Sequence, residues 1–159
     1  MAFFGLSLVL LLSMVSPATS SCNKNDKSSL LQFIAGLSFE DSVTIPWQDG
    51  TDCCEWEGIT CGRSGVVIEI FLASRSLEGS ISPSLGNLKG LQRLNLSYNS
   101  LSGTLPSELM SSGTIKVLDV SFNRLSGVLQ ESLPSIPGGQ LQALNISSNL
   151  FTGEFPSTM

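Results

Sequence analysis

One motif of thirteen positions returns three times in the second half of the chain, and it constrains the fold more than any other feature. It reads L-x-x-L-x-L-x-x-N-x-[LF]-[ST]-G, with other aliphatic residues at some Leu positions. Its copies begin at Leu91, Ile115 and Leu141, and a degenerate copy begins at Val67. The starts are 24, 24 and 26 residues apart, a period that indicates a solenoid of stacked repeats. Because solenoids present extended surfaces, the motif favours a binding function.

Positions within the motif, numbered from one, divide into buried and exposed sets. Positions four and six are apolar and alternate with other residues, which is the period of a β-strand. Position nine holds Asn99, Asn123 and Asn149, but Arg75 in the first copy. A buried Asn needs hydrogen-bond partners, and neighbouring coils offer backbone groups, so we expect a ladder of Asn side chains that Arg75 cannot join. A positive φ is expected at the glycines of position thirteen, which are Gly79, Gly103, Gly127 and Gly153.

The first twenty residues are predicted to be a secretory signal peptide. The apolar run from Phe3 to Val15 is too short to cross a bilayer of about 30 Å, and Ala18-Thr19-Ser20 provides small residues for cleavage. No Lys or Arg precedes the run, so an N-terminal anchor that stays in place is the alternative. No second apolar run reaches membrane length, so we expect no membrane span in the chain.

The composition argues against several classes of function. The formal net charge is −5 at pH 7, whereas nucleic-acid binding needs a basic surface. The chain has no histidine, so it can form neither a Ser-His-Asp triad nor a Cys-His pair. It also lacks the Gly-x-x-x-x-Gly-Lys motif of phosphate-binding loops. We therefore expect no catalytic residues, no enzymatic activity, no cofactor and no metal.

Four cysteines, Cys22, Cys53, Cys54 and Cys61, precede the repeats. An even count behind a signal peptide predicts two disulfides. A bond between the neighbours Cys53 and Cys54 would require a strained ring, which leaves Cys22–Cys53 with Cys54–Cys61, or the crossed pairing. A zinc site is the competing interpretation, and the absence of histidine and the oxidising route argue against it.

A short helix is predicted between the first two cysteines. Asp26 can serve as its N-cap, and Leu30, Phe33, Ile34 and Leu37 follow at the spacing of one helical face. With the two tryptophans and the two crosslinks, this helix would form a cap that covers the apolar end of the first repeat.

The expected organisation follows from these assignments. We expect a signal peptide at 1–20, a cap at 21–64, and repeats at 67–90, 91–114, 115–140 and 141–159, the last of them incomplete. The two extra residues of the third repeat lie at 133–139, where Pro and Gly predict a bulge on the return side. No closing cysteine pair follows the last repeat, so we interpret the chain as the front piece of a longer protein or as a truncated product.

The cap and the repeats resemble the extracellular domains of plant leucine-rich-repeat receptors. The sequence DCCEWEGITC at 52–61 is similar to their N-terminal cap. The segments LSGTLP at 101–106 and FTGEFP at 151–156 are similar to the plant-specific step L-[ST]-G-x-[IL]-P, although Ser82 and Gln130 replace its proline in the first and third repeats. Within this family, residues 77–88 and 117–125 most resemble the ectodomains of tyrosine-sulfated peptide receptors, which are receptor-like kinases and receptor-like proteins.

The resemblance implies a fold, a location and partners. The fold is an α/β repeat: a leucine-rich-repeat solenoid, coiled as a right-handed superhelix with a parallel sheet on its concave side. The first cysteine pairs with the second and the third with the fourth. The location is extracellular, in the apoplast or on the outer face of the plasma membrane. The partners are a protein or peptide ligand and a co-receptor, while peptide recognition and kinase activity lie in parts further C-terminal.

Two N-x-[ST] sequons, Asn95-Leu96-Ser97 and Asn145-Ile146-Ser147, predict N-glycosylation. Both asparagines hold position five, two repeats apart, which places them roughly 10 Å from each other on one face. The alternative is that Asn merely suits this position and stays bare. If both carry glycans, the face is shielded and cannot be the main ligand surface.

Exposed strand positions supply four candidate ligand contacts, which are Phe71, Arg93, Tyr98 and Phe122. Aromatic side chains are frequent anchors of binding surfaces, but isolated exposed aromatic residues are also ordinary. Three functions remain open: the N-terminal ectodomain portion of a peptide-sensing plant receptor, a free secreted inhibitor like the polygalacturonase inhibitors, or an inactive truncated product. The inhibitors resemble the chain in cap and repeat but finish in a C-terminal cysteine cap, which argues against the second function.

Overall fold

Each repeat forms one coil that contributes a strand to each of two sheets. The computed structural model describes residues 21–39, 45–129 and 141–154. The predicted signal peptide, Gln130 and the bulge at 133–139 lie outside the described residues, as do the last five positions of the chain. No helix in the described segments has the length and apolarity needed to cross a bilayer.

In the first sheet, the strands of the four repeats come from the motif's first positions and confirm the predicted parallel sheet, and one strand of the cap is added at its edge. Its order along the solenoid is β2, β3, β5, β7 and β9, and all neighbours are parallel except β2 and β3. Equivalent positions of successive repeats pair directly, as in Glu69 with Arg93 and Arg93 with Val117. The strands are β2 (Ile59–Cys61), β3 (Val67–Phe71), β5 (Arg93–Asn95), β7 (Val117–Asp119) and β9 (Ala143–Asn145).

A second sheet, which the sequence analysis did not predict, follows on the far side of the turn. Its strands within the repeats fall on the step that ends in Gly at position thirteen, while β1 comes from the cap. The four closing glycines have φ of 111°, 79°, 121° and 84°, as expected. A Cβ on Gly79 would also lie 2.8 Å from the carbonyl oxygen of Gly36, so this site excludes a side chain on two grounds. The strands, in sheet order, are β1 (Leu37–Phe39), β4 (Leu77–Ser80), β6 (Ser100–Gly103), β8 (Arg124–Val128) and β10 (Leu150–Thr152).

The core lies between the sheets and the return segments, which include a 3-10 turn at Pro83–Asn87 and the short helix α2 (Ser107–Met110). Repeated Leu and Ile side chains fill it. The burial of its side chains declines along the solenoid: Ile70 and Leu72, at positions four and six of the first repeat, are fully buried, whereas Leu144 and Ile146 at the equivalent positions of the last repeat are half-buried. Each coil therefore depends on its neighbours for burial.

The cap helix α1 (Lys24–Ala35) begins earlier than predicted, and the prediction that Asp26 is its N-cap is wrong. The Oδ1 atom of Asn23 caps the helix by accepting from the backbone N–H groups of Asn25 and Asp26. Asp26 instead lies buried in the first turn, and its Oδ2 accepts from the backbone N–H of Val67 at 2.9 Å. The helix also ends before Leu37, which belongs to β1, because Gly36 terminates it.

The disulfides pair Cys22 with Cys53 and Cys54 with Cys61, each with Cα atoms 5.4 Å apart. This confirms the pairing that the resemblance implies and excludes the crossed alternative. The sulfur atoms of Cys22, Cys53 and Cys54 lie within 4.8 Å of one another, but both bonds engage them, so they are not available as zinc ligands.

Two stacked tryptophans complete the cap. The rings of Trp47 and Trp56 lie 5.1 Å apart at 14°, and both side chains are buried. Their indole N–H groups donate to the carbonyl oxygen of Glu57 and to Oγ1 of Thr51, respectively. The pair thus buries a large apolar area without leaving a polar group unsatisfied.

Candidate binding surface

The first sheet has one face turned away from the core, which we call the open face. It consists of positions three and five of each strand and of position eight, which follows the strand. Alternation along the strands places these side chains there, because positions four and six point into the core. The open face is formed by Glu69, Phe71, Ser74, Arg93, Asn95, Tyr98, Val117, Asp119, Phe122, Ala143, Asn145 and Ser148.

Position five of the second, third and fourth repeats forms the same local turn each time. The Oδ1 atom of Asn95 accepts from the backbone N–H and the hydroxyl of Ser97 at 3.0 and 2.7 Å. Asp119 makes the same pair of bonds with Ser121, and Asn145 with Ser147. Asp119 shows that this turn needs a side-chain oxygen and not a sequon. The N-x-S pattern therefore has a structural use that is independent of glycosylation.

Position eight is held in the left-handed region in all four repeats. Ser74, Tyr98, Phe122 and Ser148 have φ between 54° and 57°. A bulky residue in this region costs on the order of 1 kcal/mol or more, and the two serines show that the fold does not require an aromatic side chain there. The rings of Tyr98 and Phe122 stack at 4.2 Å and 10°, which offsets part of that cost.

Tyr98 and Phe122 nevertheless remain exposed, at 57% and 44% of their surface. They form what we call the aromatic pair, one continuous apolar surface that spans two repeats. Phe71 does not belong to it, since it lies in strand β3 at position five, where it is 54% exposed. Arg93 is exposed too, but its guanidinium forms an ion pair with Glu69 at 3.1 Å. The structure thus unites two of the four candidates and separates the others.

The Asn residues of position nine directly follow position eight in the chain, so that Asn99 follows Tyr98 and Asn123 follows Phe122. The Oδ1 atom of Asn99 accepts from the backbone N–H groups of Arg75 and Leu77, and its Nδ2 donates to the carbonyl oxygens of Leu72 and Leu96. Each such Asn ties its own coil to the preceding one.

The next two repeats make the corresponding bonds. Asn123 accepts from the N–H of Leu101, and Asn149 accepts from the N–H of Leu125. Arg75 contributes only its backbone to this ladder, while its guanidinium pairs with Glu57 in the cap. The ladder holds the backbone that carries Tyr98 and Phe122.

Sequence reasoning missed the pairing of the two aromatic residues and the role of Asp119. The spacing of residues in the sequence contained a signal for both. Tyr98 and Phe122 occupy the same position 24 residues apart, so a parallel register makes them neighbours. Asp119 and Ser121 repeat the spacing of the two sequons, and this could have revealed a shared turn.

Comparison with family models decides the identity of the repeats. The model described as the leucine rich repeat N-terminal domain matches residues 23–62. The model described as the Leucine Rich Repeat matches 90–112, 114–136 and 140–159. The chain is a leucine-rich-repeat protein. Its cap and its repeats are thus recognised independently of each other.

Similar proteins include plant receptors. Phytosulfokine receptor 2 of Arabidopsis thaliana is 41% identical over 95 residues, which are 58% of this chain and 9% of that receptor. The crystal structure of PEPR1–AtPEP1 superposes with a TM-score of 0.74 at 33% identity, over 86% of this chain and 19% of that one. The Arabidopsis receptor kinase HAESA, in complex with the peptide hormone IDA and the co-receptor SERK1, gives 0.71 and 30%, over 86% and 23%. This leucine-rich-repeat chain spans less than a quarter of each.

Proposed function

We propose that the chain is the N-terminal ectodomain portion of a plant receptor and that its open face adds a contact to an extracellular peptide or to the co-receptor that binds with it, in addition to the peptide recognition that the resemblance implies further C-terminal. It would reach the cell surface through the secretory pathway, where two disulfides persist. The proposal assigns no enzymatic activity to the chain itself. Its support is the resemblance of fold and sequence to receptor ectodomains and the presence of an exposed aromatic surface on the first sheet.

The aromatic pair is the observation that carries the proposal. Stacked rings that are half exposed offer rigid apolar area at little entropic cost, and tyrosine is enriched among the residues that dominate binding energies. Ser74 and Ser148 at the same position argue that folding alone does not select the rings. The ladder that adjoins them in the chain keeps the surface preorganised, which lowers the cost of binding.

The chemistry of the partner follows from the related structures. HAESA binds the peptide hormone IDA together with the co-receptor SERK1, and the first relative is a receptor for phytosulfokine. An apolar side chain of such a peptide, or of a co-receptor loop, would lie across Tyr98 and Phe122.

The domain division predicted from the sequence forms part of the proposal: a signal peptide at 1–20, a cap at 21–64, and repeats at 67–90, 91–114, 115–140 and 141–159. The start of β3 at Val67 supports the boundary between cap and repeats, and the ranges matched by the two family models support the cap and the repeats at 91–114, 115–140 and 141–159.

The test measures binding of the purified, disulfide-bonded chain to three probes: phytosulfokine, the IDA peptide and the SERK1 ectodomain. The variant Tyr98→Ser/Phe122→Ser places serine at position eight of the second and third repeats. The first and fourth repeats already have serine there, as Ser74 and Ser148, in the same backbone conformation. We expect one probe to bind and the double variant to weaken it at least tenfold, because anchors of this kind contribute about 2 kcal/mol or more.

The matched control is Val128→Ser, which removes an exposed apolar side chain from the second sheet, away from the open face. It should change affinity less than about twofold, since surface substitutions outside a contact have small effects. Circular dichroism and thermal unfolding establish that all variants fold. A folded chain that binds none of the probes, or that binds one equally well without the aromatic pair, would contradict the proposed function.

A further inference from the structure

Phe71 is the exposed aromatic residue that the aromatic pair leaves unexplained. It lies in β3 directly opposite Asn95 of β5 in the parallel register. Neighbouring strands are about 4.8 Å apart, so the two side chains stand next to each other on the open face. Asn95 begins a sequon, and Phe71 exposes 54% of its surface. An apolar ring thus stands beside an acceptor site for a glycan.

The amide of Asn95 is positioned for modification. Its Oδ1 is held by the backbone N–H and the hydroxyl of Ser97, and Ser97 itself is buried. This fixes the side-chain orientation and turns Nδ2 away from the Ser97 turn. Within the described part of the chain, Nδ2 donates no hydrogen bond, so a bond to a sugar displaces no protein contact.

We propose that Asn95 carries an N-linked glycan whose first N-acetylglucosamine packs on the ring of Phe71. The inference rests on the secretory route included in the proposed function. Nδ2 of Asn95 forms a bond to the anomeric carbon of the sugar, the bond from that carbon to the pyrophosphate of a lipid-linked oligosaccharide donor breaks, and one amide proton leaves. The apolar C–H groups on one face of the sugar ring then cover the apolar face of Phe71.

The second sequon lacks this arrangement and serves as an internal comparison. In register with Asn145 lies Asp119, and the Nδ2 of Asn145 donates to its Oδ2 at 3.3 Å. A carboxylate offers no apolar face to a sugar and prefers water. A glycan on Asn145 would therefore extend into solvent, whereas the glycan on Asn95 leans against the strand that precedes it.

The direction of this packing has a consequence for the open face. Phe71 belongs to the first repeat, next to the cap, and Phe122 lies on the opposite side of Asn95, in the third repeat. A sugar that leans on Phe71 covers the cap side of the open face. The aromatic pair begins at Tyr98, in the same coil as Asn95, and extends to Phe122 in the next coil, away from Phe71. The glycan and the ligand contact therefore extend in opposite directions from the coil of Asn95.

The first experiment uses the secreted, high-mannose glycoprotein without any substitution. Glycopeptide mass spectrometry measures occupancy at Asn95 and Asn145 separately. An endoglycosidase that leaves one N-acetylglucosamine should keep the melting temperature, because that sugar makes the contact. An amidase that removes the whole glycan and leaves Asp should lower it by about 2–6 °C, the shift expected for one ring-stacking contact in a domain of this size.

The second experiment assigns the effect to Phe71 by a double-mutant cycle. Asn95→Asp removes the sequon but keeps the turn, as Asp119 demonstrates at the same position. Asn145→Asp is the matched control, since it removes the other sequon and places the same charge beside Asp119. We expect Phe71→Ala to lower the melting temperature more in the parent and in the Asn145→Asp background than in the Asn95→Asp background, by about 2–6 °C.

Two results would overturn the inference. One is an unoccupied Asn95 in the secreted protein. The other is an occupied Asn95 whose removal leaves the effect of Phe71→Ala unchanged. The enzymatic series covers the case in which a variant fails to fold. Neither result depends on the peptide probes, so failure of this inference and failure of the proposed function are read from different measurements.

Discussion

The cap and the repeats are stabilised in different ways. The cap is held by contacts that each occur only once in the cap and have no copy in the repeats. They are two disulfides, one tryptophan stack and the hydrogen bond that the backbone N–H of Val67 donates to Asp26. In the repeats, the same contact recurs once per coil, as the Asn ladder and the position-five turn do. A repeat can therefore tolerate the loss of one contact more readily than the cap can, provided that its neighbours stay ordered.

Location within the solenoid modifies this contrast. Contacts in the middle coils are enclosed on both sides, whereas those of the fourth repeat reach solvent, and Leu150 there is 63% exposed. The same residue at the same position should thus contribute differently along the solenoid.

Removing the Cys22–Cys53 bond should destabilise the chain most. The bond closes 31 residues, against 7 for Cys54–Cys61, so the loop-entropy model gives about 4 kcal/mol for the first and about 2.5 kcal/mol for the second. Urea unfolding of Cys22→Ser/Cys53→Ser and of Cys54→Ser/Cys61→Ser measures both losses. If removing Cys54–Cys61 lowers the free energy of unfolding more than removing Cys22–Cys53, unfolded-state entropy does not dominate the stability of the cap.

Asn123→Ala should cost about 2–3 kcal/mol of unfolding free energy, because it leaves the backbone N–H of Leu101 without its acceptor in a buried coil. Asn149→Ala removes the equivalent acceptor of Leu125 but should cost only about 1 kcal/mol, since water reaches the last described coil. Denaturant midpoints of the two variants provide the measurement. Equal losses would show that the ladder behaves uniformly and that position in the solenoid is irrelevant.

Asp26→Ala should cost about 1–2 kcal/mol, because the buried N–H of Val67 loses its acceptor at the junction of cap and first repeat. Asp26→Asn keeps a side-chain oxygen and should recover part of that loss. Asp49→Ala is the control: its side chain is 90% exposed, so its effect should lie within about 0.5 kcal/mol. Thermal unfolding compares the three, and a loss for Asp49→Ala as large as that for Asp26→Ala would refute the assigned role.

Prediction from sequence succeeded where each repeat shows the same clear local pattern, and it failed where a contact occurs once or where the pattern is weak. The period placed correctly the strands that the repeats contribute to the first sheet and the positive-φ glycines, because every copy has the same local requirement, whereas strand β2 of the cap was not predicted. Asp26 was misassigned because an acidic residue near the start of a helix resembles an N-cap in sequence. Its actual partner, the backbone N–H of Val67, lies 41 positions away in the chain. The second sheet was missed because its strands in the repeats fall on the [LF]-[ST]-G step, where Ser, Thr and Gly give no alternation like that of the L-x-L positions in the first sheet.

The open face shows the same division. Its exposed positions followed from alternation, and so did the four candidate contacts. Stacking of Tyr98 on Phe122, pairing of Arg93 with Glu69, and the juxtaposition of Phe71 with Asn95 depend on which residues the register brings side by side. Those relations become visible only when equivalent positions of adjacent coils are compared.

The sequence by itself determined that this chain is a capped solenoid, because the spacing of apolar residues, asparagines and glycines admits few other ways of burying them. Only the tertiary structure decided how the cap joins the first coil, which cysteines pair, and that Phe71 lies apart from the stacked rings of Tyr98 and Phe122. The physical reason is the separation in sequence between the residues that make each contact. Periodicity records what each segment needs from its own backbone and nearest coils, whereas a disulfide, a buried carboxylate or a ring beside a sequon depends on chain segments that only the folded coil brings together.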